Sequence, residues 1–303
     1  MTFSIRQLQY FVAVAEAGQV SAAARDLYLS QSSVTMAIQE VERHLRQPLF
    51  TRGSRGVSLT PIGTEFLPKA RRILQLVEEA TLVTATDVDP TGRVRVGVTY
   101  TVMAYFLPHH IQRLTILYPN LEFAWLEMGR PEAEDKLTAG ELDFGLLLTS
   151  NIRSPELQHE TFVHSKRRLW MAPSHPLAEL SEIRLADVAE HPYAQLTVDE
   201  ADRTTRLYWG SLRPQTFVET SSIEAVRSIV ANGNGVSILS DMVHRPWSLE
   251  GKRVETAILS DPVPDMRIGL AWPRGATFTP AMTALHRYFN RQFNQSAAHQ
   301  NTT

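Results

Sequence analysis

The sequence predicts an α/β protein in two parts, a helical N-terminal segment closing on one long helix and then a pair of α/β lobes. Three observations carry this reading. Apolar stripes at helical spacing fill the first ninety residues, strand and helix patterns alternate beyond a break at Pro90-Thr91-Gly92, and that alternation restarts after an interruption. At 303 residues the chain is long enough for at least two domains.

The bulk composition narrows the class. With 43% hydrophobic and 20% charged residues the chain is that of an ordinary folded protein. No apolar run is long enough to span a membrane. The start MTFSIRQLQYF lacks the basic n-region and continuous apolar core of a signal peptide, so a cytoplasmic location is expected. Cysteine is absent, which excludes disulfides and thiolate metal sites. The net charge of −2 argues against bulk attraction to nucleic acid. Locally the balance reverses. Arg43, Arg46, Arg52, Arg55, Lys69, Arg71 and Arg72 share their stretch with a single acid, Glu65.

The N-terminal elements follow from caps and spacing. Ser4 with Gln7 forms a capping box ahead of the stripe Leu8, Phe11, Val12, Ala15, and Gly18 ends that helix. Ser21 is expected to cap a second helix, Ala22 to about Leu27. Ser30 caps a third, Gln31 to about Leu45, whose inward face is Val34, Ala37, Ile38, Val41 and Leu45. Its outward positions are Gln31, Ser32, Ser33, Thr35, Met36 and Gln39. Residues 49–60 then read as two short strands around a Gly/Ser/Arg turn, with Arg52 and Arg55 placed to reach phosphates or a narrow minor groove. Two short helices followed by such a hairpin make a winged helix-turn-helix, in which the second helix of the pair enters the DNA major groove. Short polar side chains there can exchange hydrogen bonds with bases. A plain three-helix unit with a solvated face is the competing reading of the same spacing.

Thr60 and Pro61 open the long helix, Pro61 to about Asp87. Leu67, Leu74, Thr81 and Val88 recur at one heptad position, Ala70, Val77 and Thr84 at another, with Phe66, Ile73 and Ala80 widening the stripe. Such a repeat suits pairing with a second copy, or packing on the helix's own domain.

These residues resemble a known family. L-x-x-F-x-x-V-A-E-x-G from Leu8, then A-A-x-x-L, S-Q-S-S-V-T-x-x-I-Q-x-V-E and P-L-F-x-R-G-S-R-G-V-x-L-T-P-x-G, are similar to the LysR-type transcriptional regulators, continuously to Gly63. Ser32 stands where that family commonly has Pro, and Met36 where Arg or another polar residue is frequent. The resemblance implies a DNA-binding domain over 1–60, a linker and dimerisation helix with hinge over 61–90, and a regulatory domain over 91–303. It further implies an operator duplex, a small-molecule effector and further copies of the chain (a tetramer) as partners, with RNA polymerase recruited or blocked.

In the second half, strands are expected at residues 93–98, 121–126, 142–148, 168–171, 193–197, 216–219, 236–239 and 266–272. The helices between them run over about 102–117, 131–139, 222–231 and 280–293. Strict alternation implies parallel sheets covered on both sides. Two lobes with repeated crossing is a periplasmic-binding-protein-like plan, which the resemblance also implies. Lobe I would hold about 91–162 and 267–303, lobe II about 163–266. G-E-L-D-F-G-L from Gly140 and T-S-S-I-E-A-V-R-S-I-V-A-N-G-N-G-V-S-I-L from Thr220 fit the family pattern as well.

Ligands of open α/β sheets bind beyond the carboxyl ends of strands. That rule selects Thr99, Tyr100, Thr101, Met128, Thr149, Thr197, Val198 and Ser222, with Arg203 and Arg206 as sources of charge. Hydroxyls and helix starts suit a carboxylate or similar anion.

An enzyme is the alternative, with the helix-turn-helix only an interaction module. Gly233-Asn234-Gly235 follows a helix and precedes a strand, the reverse of a dinucleotide fingerprint, and no nucleophile elbow or P-loop occurs. His109-His110, His159 and His164 lack a metal-binding frame and are expected at the surface. No cofactor, metal or catalytic constellation is expected. A free solute-binding protein would fit the second half alone and leaves the N-terminal motif unexplained.

Overall fold

The computed structural model describes residues 3–27, 29–53, 56–82 and 90–298. The chain divides into two compact units, Met1–Thr86 and Asp87–Thr303.

In the first unit, α1 (Ile5–Ala17) starts on the Ser4–Gln7 capping box and stops where Gly18 turns left-handed at φ 66°. α2 spans Val20–Asp26 and α3 spans Gln31–Leu45, the latter capped by Ser30. α2 begins earlier than expected because Gln19, in extended conformation, is its cap, which leaves Ser21 inside the helix. The hairpin β1 (Phe50–Gly53) and β2 (Gly56–Leu59) pairs from Phe50↔Leu59 to Gly53↔Gly56. α4 (Pro61–Leu82) follows. Leu8, Phe11, Val41, Leu49 and Ala70 are fully buried together, and Val14, Ala23, Val34 and Ile38 form an adjoining cluster.

The turn into α4 is held tightly. The Thr60 Oγ1 donates to the Pro48 carbonyl and accepts from the Gly63 amide. A Cβ on Gly63 would sit 2.1 Å from the Leu49 carbonyl oxygen, so this approach needs a residue without a side chain. The heptad stripe packs on the helix's own domain, one of the two readings its spacing left open. Phe66, Leu67, Ala70 and Leu74 pack into the unit's own core, because the stripe facing α1 and the heptad overlap on one helix face. Among the described side chains of α4, the large apolar ones left exposed are Ile62, Ile73 and Leu76. Thr84 and Val88 lie outside the described residues, and of Ala80 and Thr81 only the helical backbone is described.

The second unit begins with β3 (Gly92–Val98), α5 (Tyr100–Tyr105), α6 (Leu107–Leu117), β4 (Leu121–Glu127), α7 (Arg130–Thr138) and β5 (Phe144–Leu148). The helix expected over 102–117 is thus two, divided at Phe106. β6 (Leu157–Ser165) was not expected, and its strand covers the 162/163 crossing assigned from sequence. Lobe II carries β7 (Arg167–Met171), α8 (Leu185–Ala189), β8 (Pro192–Leu196), α9 (Ala201–Trp209), β9 (Gln215–Thr220), α10 (Ile223–Ala231), β10 (Ser237–Ser240) and β11 (Glu255–Ala257). β12 (Met266–Pro273) and α11 (Pro280–Ala298) return to lobe I.

The lobe I sheet runs β4-β3-β5-β12-β6. β3 lies parallel to β4 and β5, while β12 is antiparallel to β5 and β6. Lobe II has an antiparallel trio, β10-β7-β11, and a parallel pair, β8-β9, joined through the Tyr193↔Val236 bridge. The expectation of wholly parallel sheets is therefore wrong for the strands that return between lobes. A strand arriving directly from the other lobe needs no helical crossover and can pair antiparallel. The lobe I core gathers Val94, Val96, Phe144, Leu146, Ile268 and Leu285. His110 is buried in it, contrary to its expected surface position, with Nδ1 2.8 Å from the Tyr288 hydroxyl.

Candidate functional site

Two places on the molecule have the makings of a site, one in each unit. On α3, Val34, Ile38 and Val41 are buried, which leaves the opposite face to solvent. Gln31, Ser32, Ser33, Met36 and Gln39 are exposed there, Met36 at 66%. Ser32, Met36 and Gln39 share one stripe by helical spacing. The Ser30 hydroxyl accepts from the Ser33 amide and lies 2.9 and 2.7 Å from the Ser32 and Ser33 hydroxyls. Thr35 is more committed than its neighbours. It is half-buried, and its hydroxyl donates to the Gln31 carbonyl at 2.8 Å, which leaves it only lone pairs to offer.

One carboxylate of α3 works inward. Glu42 Oε1 accepts from the Leu49 and Phe50 amides at 2.7 and 3.2 Å, which fixes where the hairpin leaves the helix. The Gln7 side-chain amide donates to Glu40. Glu40 stays exposed one turn beyond Met36, so the charge-free part of the outer face is its first two turns, Gln31 to Gln39. Arg52 belongs to β1, opposite Val57. Its side chain, and Arg55 altogether, lie outside the described residues.

In the second unit a cleft with about 520 Å³ of empty space, part of it open to solvent, lies against both lobes. Thr101, Leu148 and Met266 reach it from lobe I. Arg167, Tyr193, Gln195, Asp199, Thr205 and Ser240 are among its lobe II lining. Of the eight residues selected from sequence, only Thr101 and Val198 line this cleft. Tyr100 is 38% exposed. Met128 packs beside Ala133 and Leu142. The Thr149 hydroxyl pairs with that of Thr161 at 2.7 Å, and the Thr197 amide donates to Thr220. Ser222 caps α10 by accepting from the Ala225 amide. Thr99 is 2% exposed, with no hydrogen-bond partner for its hydroxyl among the described residues. Arg203 and Arg206 point to Glu200 and Asp202 rather than into the cleft.

Sequence reasoning missed the residues that join the lobes. Asp199 and Glu200 are consecutive non-glycine residues in left-handed conformation, at φ 51° and 61°. Lobe I holds both. The Asp199 carboxylate accepts from the Thr101 amide at 2.7 Å, and its carbonyl accepts from the Asn151 side chain. Glu200 takes both oxygens to Arg130, at 2.6 and 2.9 Å, while Arg130 also reaches Glu134 at 2.7 Å. The hydrogen bonds from Arg130 hold the Glu200 carboxyl below the usual carboxylate range. Backbone strain of this kind persists only where surrounding contacts over-determine it. No sequence signal announces such a latch, because its partners come from distant segments.

A winged helix-turn-helix with a solvent-facing polar helix start, followed by a two-lobed unit with a cleft, defines a DNA-binding regulator that responds to a small ligand. The comparisons agree. Residues 5–64 match the model described as bacterial regulatory helix-turn-helix protein, lysR family, and residues 88–294 match the LysR substrate binding domain. The chain is 31% identical over 293 residues to the uncharacterized HTH-type transcriptional regulator YnfL of Escherichia coli, covering 93% of this chain and 96% of that one. It is 27% identical to the HTH-type transcriptional regulator GltR of Bacillus subtilis, over 96% of this chain and 97% of that relative. The crystal structure of HinK, a LysR family regulator from Pseudomonas aeruginosa, superposes with TM-score 0.62 at 27% identity, covering 96% and 99% of the two chains. The chain belongs to the LysR family of transcriptional regulators.

Proposed function

We propose that this regulator reads its operator with Gln31, Ser32, Ser33, Met36 and Gln39, Thr35 giving at most an accepted hydrogen bond. Arg52 and Arg55 contact phosphates or the minor groove. The observation that supports this most is the exposed first two turns of α3, which carry short polar side chains and no acid. Two copies pair through α4 at Ile73 and Leu76, apolar positions its own core leaves uncovered. Pairing of effector domains then gives a tetramer, which meets RNA polymerase at the promoter. The protein works in the cytoplasm as a switch without turnover, and needs no metal or cofactor beyond the effector. An effector acts by binding one arrangement of the assembly more tightly than another.

The test is selection of duplexes from random sequence on full-length protein, followed by binding isotherms at several salt concentrations. Gln31→Ala should relax preference at one base pair by about 1–3 kcal/mol. Arg52→Ala should weaken all duplexes alike and flatten the salt dependence by about one unit of slope. Unchanged base preference and an unchanged slope would contradict the assignment of these two elements.

A further inference from the structure

Arg167, half-buried, begins β7 on the lobe II wall of the cleft, and its surroundings differ from those of several other arginines of this unit. Arg130 holds Glu134 and Glu200, Arg168 holds Asp241, Arg227 holds Glu224 and Arg253 holds Glu255. Among the described residues, none of the ion pairs includes Arg167. Its Nη1 donates to the Pro264 carbonyl. The phenols of Tyr208 and Tyr193 lie nearby, and the charge felt among these groups is that of the Asp265 carboxylate, which forms no ion pair with Arg167.

Those phenols are neutral and linked to one another. Burial pushes both Tyr193 and Tyr208 above the usual phenol range. The Tyr193 and Tyr208 oxygens lie 3.4 Å apart, and Tyr208 donates on to Thr205. Burial also draws the Arg167 guanidinium below its ordinary value. A guanidinium carries five N–H donors in a fixed fork, and enclosing it without an anion is unfavourable. A cavity lies against it where an anion can enter.

The lobe I side of the same cleft cannot take that anion. The Thr101 amide already donates to the Asp199 carboxylate, so a second anion there would displace or face a fixed negative charge. Leu148, Leu196, Ile223, Ile238 and Met266 add an apolar strip to the lining, beside the polar Gln195, Thr204, Thr205 and Ser240. One cation beside an apolar wall suits a singly charged, planar carboxylate, which the fork grips at two points.

We propose that Arg167 is the residue that selects the effector, binding the carboxylate of a small organic acid whose apolar body lies along Ile238 and Met266. This rests on the reading of the protein as an effector-controlled regulator. It places the anion on lobe II, away from the threonine-rich helix start that sequence reasoning favoured.

The experiment is titration calorimetry on full-length protein with benzoate and hexanoate, and with their neutral amides benzamide and hexanamide. The wild-type protein should bind at least one acid, and the matching amide at least about tenfold more weakly. Arg167→Met should weaken the acid by about 10–100-fold and leave the amide where it was. Arg167→Lys, which keeps the charge and loses the fork, should fall between, and it carries the test if the methionine variant does not fold. Equal binding of acid and amide, undiminished acid binding by both variants, or no binding of either acid to wild-type protein would overturn the proposal. Binding of selected duplexes by the same wild-type protein is measured alongside. Duplex binding without acid binding removes the Arg167 assignment alone, whereas loss of both removes the regulatory reading with it.

Discussion

The outer face of α3 and the cleft between the lobes are the two candidate recognition surfaces, and they are assembled in opposite ways. The first lies within nine consecutive residues of one helix and is fixed as soon as Val34, Ile38 and Val41 turn inward. The second brings Thr101, Arg167, Gln195 and Ser240 together from separate strands and turns, and it depends on the chain's return crossing at β12. A surface made by one element tolerates error elsewhere. A surface made by many depends on every crossing.

The most disruptive change expected tests the local case. Gly63→Val places carbon where the Leu49 carbonyl oxygen sits, so the wing and α4 must separate. A loss of about 3 kcal/mol in the first unit is expected, with duplex binding abolished while hydrogen-exchange protection of the lobe cores persists. Stability within experimental error of wild type would show that the Leu49–Gly63 approach is not needed.

A smaller effect tests the distributed case. Glu200→Gln removes one charge of the Arg130–Glu200 pair and leaves Glu134 on Arg130, so about 2 kcal/mol should be lost near neutral pH. Because Arg130 holds Glu200 ionised below the ordinary value of 4.5, the folded state binds its proton later than the unfolded chain does. The contribution is complete above that pH and is lost as pH falls through the lower, folded value. Denaturant unfolding across pH should show wild type and variant converging in acid. A gap that stays constant from neutral pH into acid would remove the latch from the account.

The same contrast explains what could be read from the sequence. Ser4, Ser30 and Thr60 cap the helices expected of them, because caps and stripes act over one or two turns. The lobe I alternation was legible for the same reason up to β5. Beyond it, β6 reads LQHETFVHS, too polar to announce a strand, though it pairs along the whole length of β12. The heptad of α4 was real as spacing, and spacing could not say that Leu67 and Leu74 face α1's core while Ile73 and Leu76 do not. Of the positions that strand ends suggested, Thr101 and Val198 line the cleft. Arg167 stayed hidden because what sets it apart is that none of the ion pairs among the described residues includes it, and that is a property of the fold alone.

The central claim is that the cleft and α3 are coupled. It is tested most directly by titrating full-length protein with a selected duplex at fixed salt, with and without a saturating carboxylate that binds at Arg167. Coupling predicts that the acid shifts duplex affinity, typically by about 5–150-fold, and that the duplex shifts acid affinity by the same factor. Identical duplex isotherms and footprints in the presence and absence of a bound acid would contradict it.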